Sequence, residues 1–151
     1  MTPDADPHPP LLLEEVAMLL GLPRADAKSL VNGEVFTGPS GLECQLVAEI
    51  VEGQPKSARP TVLLGLKAYD LAGDEVHLLL TLQARLLSGG LWYLGASPKG
   101  DLLITALHPY YTSQEVAAAF DVANFTAWST LQLMLEAMPL SEGNFNREKM
   151  Q

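Results

Sequence analysis

The sequence predicts an α+β fold: a single two-layer domain whose antiparallel sheet and helices follow the order α-β-β-β-α-β-β-α, and which forms a dimer. Three observations predict the layers. Residues 42–51 alternate apolar and polar side chains, the pattern of a strand buried on one face only. Residues 11–20 and 116–138 repeat apolar residues at helical spacing, the pattern of helices that bury one stripe. Ser97-Pro98-Lys99-Gly100 separates two short apolar runs, as in a hairpin.

In chain order, the first helix covers residues 11–20. Leu12, Val16, Leu19 and Leu20 form its stripe, with Glu14 and Glu15 off it. Pro9 and Pro10 precede it, as prolines do at helix starts, and Gly21 with Pro23 supplies the stop signal. Residues 29–36 read as a short strand interrupted by Asn32-Gly33 and ending at Phe36. Gly38-Pro39-Ser40-Gly41 reads as a turn rather than a ligand loop. In the next strand Leu42, Cys44, Leu46, Ala48 and Ile50 point one way, and Glu43, Gln45, Val47, Glu49 and Val51 the other. Residues 53–60 are polar with two prolines and read as a loop. Residues 61–71, around Leu63, read as a strand with Val62, Leu64, Leu66 and Ala68 on one face.

Asp74 is the expected N-cap of the segment that follows. Residues 76–87 are rich in leucine: Val76, Leu78, Leu79, Leu80, Leu82, Leu86 and Leu87. Residues 76–80 fit a strand as well as a helix, while the length, Gln83-Ala84-Arg85 and the closing Gly89-Gly90 favour a helix. Its apolar residues occupy more than one face, and such a helix has to be covered on several sides. One sheet covers one side, so a second subunit is expected on the other. Residues 91–96 and 101–107 form the hairpin. Thr112-Ser113-Gln114-Glu115 is a capping-box signature. It opens a long last helix with Val116, Phe120, Ala123, Ala127, Leu131, Met134 and Met138 in a stripe that Trp128 and Leu135 widen. Pro139 stops it. The domain therefore spans 11–138, between a proline- and acid-rich lead-in expected to be disordered over 1–10 and a loose tail at 139–151.

Charge and hydropathy pull in opposite directions. The net charge is −9 and the isoelectric point about 4.6, yet 48% of residues are hydrophobic and the mean hydropathy is +0.14. Chains of this length bury only about 68–70% of their unfolded surface, so the surplus apolar surface is read as faces meant for another chain. The acidic balance and the scattered cations exclude a nucleic-acid patch. No segment is long and apolar enough to insert in a membrane, and the N-terminus lacks the basic start and cleavage site of a signal peptide. A lone cysteine, Cys44, excludes an internal disulfide and reads as a small buried hydrophobe, which fits a reducing cytoplasmic compartment.

Catalytic and cofactor chemistry finds no support. His8, His77 and His108 fall in unrelated elements, and no metal-ligand spacing, nucleophile elbow, phosphate loop or dinucleotide motif occurs. Glu14-Glu15 and Asp74-Glu75 are adjacent carboxylates, which diverge on a helix and make poor acid–base pairs. His108 beside Tyr110 and Tyr111 reads as packing. The expected catalytic, cofactor-binding and metal residues are therefore none.

The stretch 78–136 carries a resemblance. A leucine-rich helix ends at Ser88-Gly89-Gly90. Leu91-Trp92-Tyr93-Leu94-Gly95 then leads through Pro98-Lys99-Gly100 to Asp101-Leu102-Leu103-Ile104. His108-Pro109-Tyr110-Tyr111 precedes a last helix with Ala123, Ala127 and Trp128. This layout, with the small size and acidity, resembles the class I type III secretion chaperones, the Tir/CesT-like effector chaperones, over residues 11–138. The asparagine usual near the end of that family's middle helix is not evident here. The resemblance implies a cytosolic, non-enzymatic homodimer without cofactors, with Leu78, Leu79, Leu82, Arg85, Leu86 and Trp92 at the two-fold interface. It also implies a client, the extended N-terminal segment of a secreted effector, with the secretion ATPase as a further candidate partner. Leu12, Val16, Leu19, Leu20, Phe36, Val47, Val51 and Leu63 are the expected client contacts. A non-secretion adaptor dimer of similar layout and a small-ligand-binding domain remain open beside it.

Overall fold

A computed structural model of the chain describes residues 10–137. It is α+β, with four α-helices and one five-stranded antiparallel sheet of order β1-β2-β3-β5-β4. Helix α1 (Leu13–Leu19) buries Val16 and Ala17 and packs on the last helix. Gly21 follows in the left-handed region at φ 69°, so a glycine ends the helix as expected.

The next element departs from expectation. Residues 29–31 belong to a second helix, α2 (Arg24–Val31), and the strand is reduced to β1 (Phe36–Thr37). Pro23 starts this helix from an extended conformation, and good helix formers such as Arg, Ala and Lys continue it. Asn32-Gly33, read as a strand interruption, is the helix stop, with Gly33 at φ 74°. The element order is thus α-α-β-β-β-α-β-β-α, apart from a 3-10 turn at Ala68–Asp70.

β2 (Glu43–Val51) pairs with β1 only through Phe36↔Cys44 and Thr37↔Glu43. The intervening turn is held by Gly38 N–H donating to Leu42 O at 2.8 Å. A side chain at Gly38 would place its Cβ 2.5 Å from Cys44 Sγ, so the close approach requires glycine. Alternation along β2 holds through Leu46 and fails at a register shift between Glu49 and Ile50. Ile50, assigned to the core face, is consequently 57% exposed.

The loop expected at 53–60 is a strand. β3 (Gln54–Lys67) begins immediately after Glu52 and Gly53, both at positive φ (52° and 79°), the backbone of a two-residue hairpin turn. Its prolines sit where a missing N–H is tolerated: Pro55 opposite the register shift, and Pro60 one residue before the pairing with β5 begins at Thr61. β3 ends at Lys67, whose ammonium pairs with the Asp101 carboxylate.

α3 (Gly73–Ser88) is helical throughout, which settles 76–80. Its N-cap is Ala72 rather than Asp74; the Glu75 carboxylate reaches back to accept from Ala72 N–H at 3.0 Å. β4 (Trp92–Ala96) and β5 (Asp101–Ala106) form the hairpin. α4 (Ser113–Ala137) is capped by Thr112, whose hydroxyl oxygen accepts from Glu115 N–H at 3.1 Å. Met138 and the segment 139–151 lie outside the described residues, as does the lead-in before Pro10.

α4 crosses β3 and β5, while α3 packs on β4 and α4. Cys44, Leu46, Val62, Leu64, Leu94, Leu102 and Ile104 from the sheet meet Val116, Phe120, Ala123, Ala127 and Met134 from α4, all buried. Phe36 and Phe120 make an edge-to-face pair with centroids 5.7 Å apart. Each large side chain fully buried in this layer contributes about 1.5–3 kcal/mol. The opposite sheet face carries the Thr61–Thr105 hydroxyl pair at 2.8 Å, with Leu63 opposite Leu103.

Candidate functional site

Three apolar surfaces among the described residues bear on the expected contacts. The first is the open edge of β2. Because β1 is only two residues long, no strand among the described residues pairs with that edge beyond Cys44. The backbone there runs past Val47, Ile50 and Val51, which are 52%, 57% and 39% exposed. A pocket of about 200 Å³ over the paired β2 and β3 strands is lined by Val47, Ala48, Glu49, Ala58, Arg59 and Pro109.

The second surface is the groove between α1 and α2, about 510 Å³, lined by Ala17, Met18, Leu22, Ala27 and Val31 with Glu14, Lys28 and Asn32. Tucking α2 against α1 creates it. Two short helices leave a cleft where Met18 stays 70% exposed.

The third is one side of α3. Val76, Leu80 and Leu87 are 39%, 59% and 43% exposed. With Gln83 they recur at i, i+4, i+7 and i+11, spacing that places them on one helix face. Leu91, 54% exposed, follows directly after the helix.

These surfaces redistribute the expected site residues. Leu12 and Leu19 are exposed on α1, and Leu20 is half-buried against the core. Val16 and Phe36 have to be corrected: at 0% and 3% exposure they are interior. The α1 stripe turns its Val16 edge to α4 and its Leu12–Leu19 edge to water. Val47 and Val51 lie on the β2 surface, whereas Leu63 is half-buried on the sheet face away from the helices. Among the residues expected at a two-fold interface, Leu82 and Trp92 are core residues at 6% and 5% exposure, a second correction. Leu78, Leu79 and Leu86 pack partly against the same core, and Arg85 is exposed. The α3 side that stays uncovered is Val76, Leu80 and Leu87; the leucine content of the helix does not reveal it, because exposure follows angular position. Met18 and Ile50 are exposed too; the second helix and the register shift beside them leave no signal in a period-two or single-stripe pattern.

Electrostatics adds little chemistry. Burial pushes the Cys44 thiol up to about 12, against a weaker opposing bond to Asn124. Asn124 anchors the 38–41 turn: the Ser40 hydroxyl donates to its Oδ1, and nearby Trp128 Nε1–H donates to Ser40 O at 3.2 Å. Lys67 holds the Asp101 carboxyl below its usual range. Among the described residues no group of histidine, cysteine and carboxylate side chains is arranged to hold a metal, and no helix is long and apolar enough to cross a membrane. No protein-family model, curated protein or solved structure matches the chain.

Proposed function

We propose that the chain is a type III secretion chaperone that works without catalysis in the cytosol. In this reading it acts as a homodimer and holds the extended N-terminal segment of a secreted effector. The observation that carries the reading is the open β2 edge with Val47, Ile50 and Val51 beside it. An extended polypeptide adds to such an edge through main-chain hydrogen bonds, and alternate side chains supply the apolar contacts. The α1–α2 groove, where Met18 is 70% exposed, gives a second apolar foothold for the same client; the exposed Leu12 and Leu19 lie on the other side of α1. The α3 stripe of Val76, Leu80 and Leu87 supports self-association: on a two-fold axis it would cover itself.

The test is affinity purification from the host with mass-spectrometric identification of bound protein, repeated after deleting the client's N-terminal region. The reading predicts capture of a secreted protein, lost on that deletion. Capture that survives the deletion, or none at all, contradicts it. A second reading rests on the α1–α2 groove alone, whose size falls within the range of small-molecule sites. A stoichiometric small molecule in native mass spectra, with no protein client, would select it.

A further inference from the structure

We propose that the outward face of α4 docks a cationic amphipathic helix of a partner protein. The inference stands apart from client capture at β2, and its groove shares Leu91 with the surface at α3.

The inner side of α4 is spent on the core. Its outer side carries Val122, Phe125 and Leu133, at 47%, 73% and 45% exposure. At 3.6 residues per turn these three, with exposed Ala118, fall within a sector of about 80°. Phe125 is the most exposed apolar side chain described in the molecule. Between the start of this track and β4 lies a groove of about 270 Å³ lined by Leu91, Trp92, Tyr110, Glu115, Ala118 and Val122. Small Ala118 lets a partner approach the helix closely there.

Charge says what covers the track. The 25 residues of α4 contain Glu115, Asp121 and Glu136 and no lysine, arginine or histidine. All three carboxylates are on exposed residues, spread over about 31 Å of helix axis at 1.5 Å per residue. Arg85 of α3 shares a cleft with Leu133 and Glu136, and the Glu115 carboxylate accepts from the Thr112 hydroxyl at 3.1 Å, which leaves Asp121, with Glu115 a turn and a half before it, to face the partner. At the same roughly 100° per residue Glu136 and Glu115 fall within that sector and Asp121 about 40° outside it, so carboxylates punctuate and border the apolar track, which fits a helix that carries lysine or arginine within and beside its apolar stripe.

The occupant's backbone must also be satisfied. The middle of a helix has no spare N–H or C=O groups, so an extended strand laid on α4 would leave its own polar groups unpaired against an apolar surface. A helix satisfies its own. A second copy of α4 would bring carboxylates against carboxylates, and an anionic bilayer would be repelled by the same charges.

The full-length protein is titrated against a labelled leucine/lysine peptide with helical apolar spacing, read by fluorescence anisotropy. A leucine/glutamate version and a leucine/lysine peptide of scrambled spacing serve as comparisons. The wild type binds only the first. Phe125→Asp weakens binding roughly tenfold or more, as loss of a central aromatic anchor does. Asp121→Lys weakens it several-fold, an effect that shrinks as salt rises. Tyr69→Asp, an equally exposed aromatic on another element, leaves it unchanged. Circular dichroism of each variant confirms the fold, which an exposed substitution preserves. Equal binding of the comparison peptides, or undiminished binding by Phe125→Asp, overturns the proposal. So does Phe125-dependent association with anionic vesicles, or halving of the native mass by Phe125→Asp.

Discussion

Replacing Leu80 with glutamate separates an interface role for α3 from a core role. Leu80 and Leu87 leave 59% and 43% of their surface in water. Burying a whole leucine side chain is worth about 1.5–3 kcal/mol, so the uncovered fractions hold about 0.9–1.8 kcal/mol at Leu80 and about 0.6–1.3 kcal/mol at Leu87. A two-fold axis uses each residue twice, which makes about 3–6 kcal/mol available to a dimer from these two positions. Leu80→Glu forfeits about 2–4 kcal/mol of that and adds two carboxylates that would lose water on association. The dimer Kd should weaken by at least about thirtyfold, since every 1.4 kcal/mol is tenfold. Sedimentation equilibrium reads the outcome: twice 16.3 kDa for the wild type and 16.3 kDa for Leu80→Glu, with the far-UV spectrum unchanged. Leu82→Ala, two positions away but only 6% exposed, should instead destabilise the fold by about 2–5 kcal/mol through a cavity. A wild type that sediments as a single subunit, or a Leu80→Glu protein that keeps the double mass, refutes the reasoning.

Three further outcomes follow from the same structure. Val47→Asp and Val51→Asp should reduce recovery of a copurified client while leaving the native mass intact; full recovery would remove the β2 edge from the site. Cys44 should resist alkylation until the protein is unfolded. Its folded-state ionisation is raised from 9.0 to about 12, so the folded protein keeps a proton that the unfolded chain releases, and stability should fall as pH climbs through that window. A Cys44→Ala protein should lose this component of the slope in urea titrations across that range. Thr112→Ala removes the oxygen that accepts from Glu115 N–H and should cost about 1 kcal/mol, seen as a lower thermal midpoint; an unchanged midpoint would mean the cap is not needed.

The layered α+β class, the long last helix with its Thr112 cap and the 91–107 hairpin were legible because each rests on a periodic or local signal. The last helix's stripe is buried from Val116 to Met134. What was not legible depended on context. Glu52-Gly53 lacks the asparagine or aspartate that advertises a two-residue turn, so the start of β3 read as loop, and its prolines reinforced the error. Residues 24–31 have the propensity of a helix but no strong stripe, and only docking on α1 stabilises so short a segment. For the site, exposure was the missing quantity. Leu80 and Leu82 look alike in the sequence, yet one faces water and the other the core, and only the way α3 packs on the rest of the fold decides which. Phe120 falls on the helical stripe and is buried, whereas Phe125 falls off it and is exposed; the stripe separates the two phenylalanines but says nothing of what the outer one meets.

The claim on which the proposed function rests is that the β2 edge grips extended polypeptide. A photo-crosslinking amino acid placed at Val51 in the living host tests it most directly. The account predicts a crosslinked adduct that maps to the N-terminal segment of a secreted protein. An adduct only to a second copy of this chain, or to no protein, would contradict it.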